Sequence, residues 1–300
     1  MRIKEGYPSL TAAAVTLGKF DGIHRGHRKL VEEVTARKQF GEKAVLFAVD
    51  SSSRLIMTRQ ERAEILQSMG IDVLIECPLD EKFKSTKAET FISEILVGDL
   101  GASFVTVGED FRFGCGRKGT PELLKKAGSK YGFEVRIIPS QMDGHRKISS
   151  TFIREELRKG NMEKTASLLG MPYFAESEIL HGQGLGHRKL LPTINMIPSP
   201  EKLVPPNGVY FTRTHSPKGS WEGITNIGTK PTVGADFVGI ETYLFDCGED
   251  LYGETCRVEF FHFHRPERRF GSLEGLKAQL LQDAEAGKEY FRGVKQNRPR

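Results

Sequence analysis

Cysteine is scarce and scattered. Four occur in 300 residues, Cys77, Cys115, Cys247 and Cys256, and no two form a C-x-x-C pair. That spacing offers no disulfide framework and points to a reducing compartment. Long apolar runs are missing as well. No segment approaches a membrane span, and the first residues carry no apolar core of signal-peptide length. A cytoplasmic protein with no membrane partner is expected. Charge of one sign is in no large excess: 44 Lys plus Arg stand against 39 Asp plus Glu, a net +5. This balance suits an anionic substrate and does not single out nucleic acid, so no nucleic-acid partner is expected. Internal repeats and low-complexity segments are also lacking.

What is present is a globular composition, 38% hydrophobic and 28% charged, over a length that suits about two domains. In the first half, apolar runs at 12–17, 44–49, "DVLIEC", "SFVTVG" and "FEVRII" alternate with helical spacings. One helix opens on Thr58 and Glu61 as a capping box and closes at Gly70. Another is expected to open on Thr86 and Glu89. Alternation of this kind predicts βαβ units and a doubly wound parallel sheet, with ligands at the carboxyl ends of the strands. Two short helices follow, over about 151–159 and 162–169. Beyond residue 170 the texture changes to short strands punctuated by glycine, proline and asparagine, which predicts an antiparallel barrel or sandwich. One final helix is expected to present Leu273, Leu276, Leu280 and Leu281 on one face. The fold class is therefore α/β, with domains over 1–170 and 171–300.

Five stretches carry chemistry. "GKFDGIHRGHRKL" follows the first strand and opens a helix. Its backbone N–H groups and helix end suit an anion, and His24 and His27 can add donors to phosphate oxygens. A zinc site would need two further ligands, and an ordinary helix start is the plain alternative. "KISSTFIR" places Ser149, Ser150, Thr151 and Arg154 at another helix start, as a cap or as a second phosphate clamp. Two such starts in one α/β domain suggest a nucleotide with a polyphosphate. "VGEDFRFGCGRKG" holds Phe111 and Phe113, read first as core and otherwise as a stacking platform. "HGQGLGHRKLLPTIN" is a glycine-rich basic loop, with Thr193 and Asn195 as oxygen ligands for Mg²⁺. In "GIETYLFD", Ile240 and Thr242 face one way and Glu241 the other. A carboxylate facing into a small barrel is costly without a role, and solvent exposure is the alternative. His262 and His264 share a face and read as structural or surface residues.

In this order, the stretches resemble the prokaryotic bifunctional riboflavin kinase/FAD synthetase family over nearly the whole chain. "TLGKFDGIHRGHRKL", "VGEDFRFGCGRKG" and "ISSTFIREELRKGNMEKTASLLGMPY" look like its FMN adenylyltransferase module. "PTIN", "VPPNGVYFTR", "GITNIGTKPT", "IETYLFDCGEDLYGETCRVEF" and "RPERRFGSLEGLKAQLLQD" look like its riboflavin kinase module, a small six-stranded barrel. The resemblance implies riboflavin, FMN and ATP as small-molecule substrates and Mg²⁺ as the metal. His24 and His27 would steady the ATP triphosphate. Gly18, Phe20, Asp21, Gly22, Gly26, Ser149, Ser150, Thr151 and Arg154 would complete that nucleotide site. Glu241 would be the catalytic base of the kinase. Gly186 and Asn195 would bind its nucleotide, and Thr193 and Asn195 its metal. Asp110, Phe111, Asn226 and Arg268 would contact flavin. The chain departs from the family at two places. Val49, Asp50 and Ser51 stand where relatives carry Pro-His-Pro, and "GHRKLLPTIN" has His187, Leu190 and Leu191 for the family's arginine, glycine and phenylalanine.

Overall fold

A computed structural model describes residues 1–4, 6–50, 54–180, 192–230 and 237–296. Gly186, Ser51, His187, Leu190 and Leu191, named above, lie outside the described residues. The chain divides into two compact units, Met1–Phe152 and Ile153–Arg300. The change of sequence texture near residue 170 falls within the second of these units, after the helices Ser150–Arg158 and Met162–Leu169.

The first unit runs β1 (Arg2–Lys4), β2 (Ala13–Gly18), α1 (Arg25–Ala36), β3 (Lys43–Asp50), α2 (Arg59–Ser68), β4 (Val73–Pro78), α3 (Glu81–Ser85) and α4 (Ala88–Thr90). After α4 the chain continues as a wider π-helix over Phe91–Asp99, then β5 (Ala102–Gly108), α5 (Pro121–Tyr131), β6 (Glu134–Ile138) and the small ribbon β7 (Met142–Asp143) and β8 (Arg146–Lys147). Strands β1 to β6 form one parallel sheet in the order β1-β4-β3-β2-β5-β6. Both faces of β2 are covered, as a parallel sheet requires. Ala13, Val15 and Leu17 join a core with Phe47, Ile75, Phe91, Leu96 and Leu124, while Ala14 and Thr16 are buried on the opposite face. Strand order reverses between β2 and β5, which makes a switch point, the place where open α/β sheets bind ligands beyond the carboxyl ends of their strands.

Local chemistry sets the helix ends. Thr58 and Glu61 form the expected capping box at α2, with reciprocal bonds of 3.2 and 2.8 Å. The expected box at Thr86 is not formed. Its hydroxyl donates back to the Lys82 carbonyl at 3.0 Å, closing α3, which Asp80 caps at the other end. Lys87 is the cap residue of α4, with no side-chain bond.

The second unit begins within α6 (Ser150–Arg158), which spans the division, and continues with α7 (Met162–Leu169), β9 (Tyr173–Glu178), β10 (Ile194–Met196), β11 (Gly208–Ser216), β12 (Gly219–Lys230), β13 (Phe237–Leu244), β14 (Thr255–Arg265) and α8 (Leu273–Gln296). The strands form one antiparallel sheet in the order β10-β13-β12-β11-β14-β9. Its two edges meet. The Leu180 N–H donates to the Asn195 carbonyl at 2.8 Å, and Ser177 Oγ to the Ile197 carbonyl at 2.9 Å, so the sheet curls into a small barrel. Inside, a ladder of hydroxyls links Thr212, Thr225 and Thr242 at 2.7 and 2.8 Å, which satisfies polar groups that the barrel buries. The expected α/β class, with a parallel-sheet unit, an antiparallel barrel and a terminal helix, is what the chain adopts.

Helix α8 follows its leucine pattern only in part: Leu280 packs against the core and Leu276 is partly buried. Leu273 and Leu281 are about half exposed, whereas Ala284, Gly287 and Phe291 are buried against Val209, Phe211, Ile224 and Phe245. Gly287 permits this approach, since an added Cβ would lie 3.0 Å from the Phe245 ring and 3.1 Å from Ile224. His262 and His264 are structural, as expected. His262 Nδ1 meets Glu163 at 2.6 Å, and His264 stacks on Phe211 at 4.7 Å.

Candidate active sites of the two units

In the first unit, the loops after β2 and β5 leave the two strands that flank the switch point. Gly18 ends β2. Phe20 and Ile23 have φ of 48° and 37° and are fully buried, so packing holds a backbone that such side chains rarely adopt. Gly22, at φ 91°, needs its missing Cβ, which would lie 3.1 Å from the Ile56 side chain. Asp21 pins the same loop by accepting from the Ile56 N–H at 2.8 Å.

His24 caps α1. Its Nδ1 accepts from the His27 N–H at 3.3 Å, and the two rings stack at 3.6 Å. Gly26 fits beneath them, because a Cβ there would lie 3.3 Å from the His24 ring. Burial, with Lys147 adding to it, lowers the His24 pKa to about 4. Burial, then His24 and Lys147, holds His27 well below the ordinary value. Both rings are therefore neutral near pH 7. A neutral His24 that accepts at Nδ1 carries its proton at Nε2, which leaves Nε2–H to donate to an anion. His27 Nδ1 is buried with no partner among the described residues. No cluster of three or more metal-ligating side chains occurs among the described residues.

Ser150 links the second jaw to the first. Ser150 Oγ donates to the Asp21 carbonyl at 2.8 Å, across 129 residues of sequence. Ser149 serves as a cap, accepting from the Phe152 N–H at 3.2 Å. Thr151 is exposed, and Arg154 lies one turn into α6, beyond the division between the units. Lys147, the first residue of "KISSTFIR", carries no local pattern that marks it as part of the site. Its ammonium pairs with the Asp110 carboxylate of the β5 loop, so the loop and the second jaw are joined there too. Burial acts to raise the Asp110 pKa, but Lys147 outweighs it and the net shift is downward. Phe111 stacks on Phe113 at 5.6 Å, and both pack against the core.

In the second unit, strand register brings three of the named residues into a row. Asn195 of β10 is the cross-strand partner of Glu241 of β13, which in turn partners Asn226 of β12. Directly paired side chains share a face of the sheet. Ile240 and Thr242 are buried on the other face, so Glu241 lies outside the barrel interior and is partly exposed. Thr193 immediately precedes β10, and the Asn195 amide approaches its carbonyl at 3.5 Å. Arg268 is exposed on the segment after β14.

Two family models divide the chain between them. One, described as FAD synthetase, matches residues 7–152, and another, described as riboflavin kinase, matches residues 169–291. A bifunctional riboflavin kinase/FMN adenylyltransferase of Escherichia coli (strain K12) is 35% identical over 308 residues, covering 97% of this chain and 98% of that protein. The chain belongs to this family. The Haemophilus influenzae member is 32% identical and covers 94% of this chain and 95% of its own length. A crystal structure described as a macrolide-efflux protein from Streptococcus pneumoniae superposes with a TM-score of 0.83 at 28% identity, covering 95% of each chain. No helix among the described residues is long and apolar enough to cross a membrane. The motif resemblance is borne out, and both enzymatic domains of the family are present.

Proposed function

We propose that the first unit adenylylates FMN at the β2–β5 switch point and that the second phosphorylates riboflavin at the row of Asn195, Glu241 and Asn226. In the first reaction the FMN phosphate attacks the α-phosphorus of ATP and pyrophosphate leaves, so no protein nucleophile is needed and catalysis is positioning and charge stabilisation. The observation that carries the reading is the hydrogen bond from Ser150 to the Asp21 carbonyl, which ties the start of α6 to the loop that leads into α1. His24 Nε2–H and the α1 N-terminus would hold the triphosphate from one side. Ser149 and Thr151 would hold it from the other, with Lys147 supplying positive charge. Gly18, Phe20, Asp21, Gly22 and Gly26 shape the loop around it. Asp110 and Phe111 would meet the flavin.

In the second reaction the riboflavin 5′-hydroxyl attacks the γ-phosphorus of ATP. Glu241 would accept the hydroxyl proton. Asn226 and Arg268 would contact the flavin substrate. The Thr193 hydroxyl and the Asn195 carboxamide are hard oxygen donors beside this carboxylate, a set that fits Mg²⁺. When bound, the ion would neutralise phosphate charge. Four free cysteines suit a reducing compartment, and we place the protein in the cytoplasm.

Separation of the two activities tests the assignment. Glu241→Gln should abolish FMN formation and leave FAD formation from supplied FMN intact. His27→Ala should do the reverse. Equal damage to both steps in a folded protein would refute the division of sites.

A further inference from the structure

Glu267 follows β14 and has no place in the reactions above. Its two carboxylate oxygens receive two amides. Asn226 Nδ2 donates to Oε1 at 3.3 Å, and Asn207 Nδ2 donates to Oε2 at 3.3 Å. Asn207 also donates to Thr229 Oγ1 at 3.3 Å. An ionised carboxylate can only accept. Both asparagines must therefore turn their NH₂ groups toward Glu267. For Asn226 this turns the carboxamide oxygen away from Glu267, on the residue directly beside Glu241 in the register. Space for the carboxylate is built into the strand. Gly228 is buried, and a Cβ there would collide with Glu267 Oε1 and lie 3.2 Å from Asn226 Nδ2.

The segment that carries Glu267 is itself anchored. Arg265, two residues earlier, grips the fully buried Asp283 of α8, with Nε to Oδ1 at 3.0 Å and Nη2 to Oδ2 at 2.6 Å. Gln279 donates to the same carboxylate at 2.9 Å. A paired, hydrogen-bonded buried charge resists displacement.

We propose that Glu267 is a positioning residue of the kinase site. By accepting from the Asn226 amide it presents the Asn226 carbonyl oxygen as an acceptor for a side-chain hydroxyl of riboflavin, next to the base Glu241. This rests on the assignment of the kinase reaction to that row. A glutamine at 267 offers one acceptor and one donor to two amides, so one asparagine must turn over or lose its bond. A substrate hydroxyl would then meet an NH₂ group.

Steady-state kinetics of the full chain test it. Glu267→Gln should raise the KM for riboflavin about tenfold, the loss expected for one misdirected hydrogen bond, with kcat and the KM for ATP little changed. Gly228→Ala, which leaves the carboxylate but displaces it, should raise the same KM. In an Asn226→Ala background, Glu267→Gln should add nothing further. FAD formation from supplied FMN should be normal in all of these variants. An unchanged riboflavin KM in Glu267→Gln, or additive losses in the double variant, would overturn the proposal. Glu241→Gln distinguishes this from failure of the underlying reading. If that variant forms FMN normally, the site assignment is wrong. If it is inactive while Glu267→Gln behaves as wild type, only the role of Glu267 falls.

Discussion

Acidification from about pH 7 to about pH 5 should destabilise the first unit through His24, and the size follows from its displaced titration. In the folded chain burial lowers the His24 pKa from 6.5 to about 4. His24 is 7% exposed, so solvent screens it little. Between these two values the unfolded chain binds a proton that the folded chain refuses. The stability tied to the neutral ring is therefore complete above the unfolded value and is lost as pH falls toward the folded one. At about pH 5 the linkage amounts to about 2 kcal/mol, and at about pH 7 it is close to zero. His27 shifts in the same direction, and its ring stacks on His24 at 3.6 Å, so a proton on one opposes a proton on the other. His24→Asn isolates the effect, because asparagine still accepts a cap bond but does not titrate. Urea unfolding followed by far-ultraviolet circular dichroism would compare the two proteins at both pH values. The stability difference, wild type minus variant, should become about 2 kcal/mol less favourable to the wild type at the lower pH. Parallel curves for the two proteins would refute the reading of His24 as a buried neutral ring.

Lys147→Ala should slow FMN adenylylation about tenfold while leaving riboflavin phosphorylation unchanged, measured by separating flavins after single-substrate incubations. Ser150→Ala should cost about 1 kcal/mol in unfolding free energy by removing the bond to the Asp21 carbonyl, and should lower the rate of the same step. Asp283→Asn should destabilise the second unit by about 3 kcal/mol, because Arg265 would stay buried without its counter-charge; the thermal midpoint would read this.

Features set by neighbouring residues could be read from the sequence. The Thr58–Glu61 box at α2 formed as its spacing required, and the strand alternation of both units followed from apolar patterning. Thr86 was misread because its hydroxyl had two helices to serve, and it closed α3 rather than opening α4. Of the α8 leucines only Leu280 packs against the core, beside Ala284 and Phe291, because Gly287 sets where the helix approaches most closely, while Leu273 and Leu281 stay half exposed. Partnerships across the fold were not legible. Lys147 finds Asp110 at a separation of 37 residues, and Asn226 finds Glu267 at 41, with no local pattern that selects either partner. The register that lines up Asn195, Glu241 and Asn226 likewise depends on strand pairing, although each residue had been named for other reasons.

Incubation of the wild-type chain with riboflavin, ATP and Mg²⁺, followed by chromatographic separation of the flavins, tests the two-step assignment most directly. FMN should appear first and then be converted to FAD. FMN that never becomes FAD, even when supplied directly, would contradict the adenylyltransferase assignment. Riboflavin left unphosphorylated would contradict the kinase assignment.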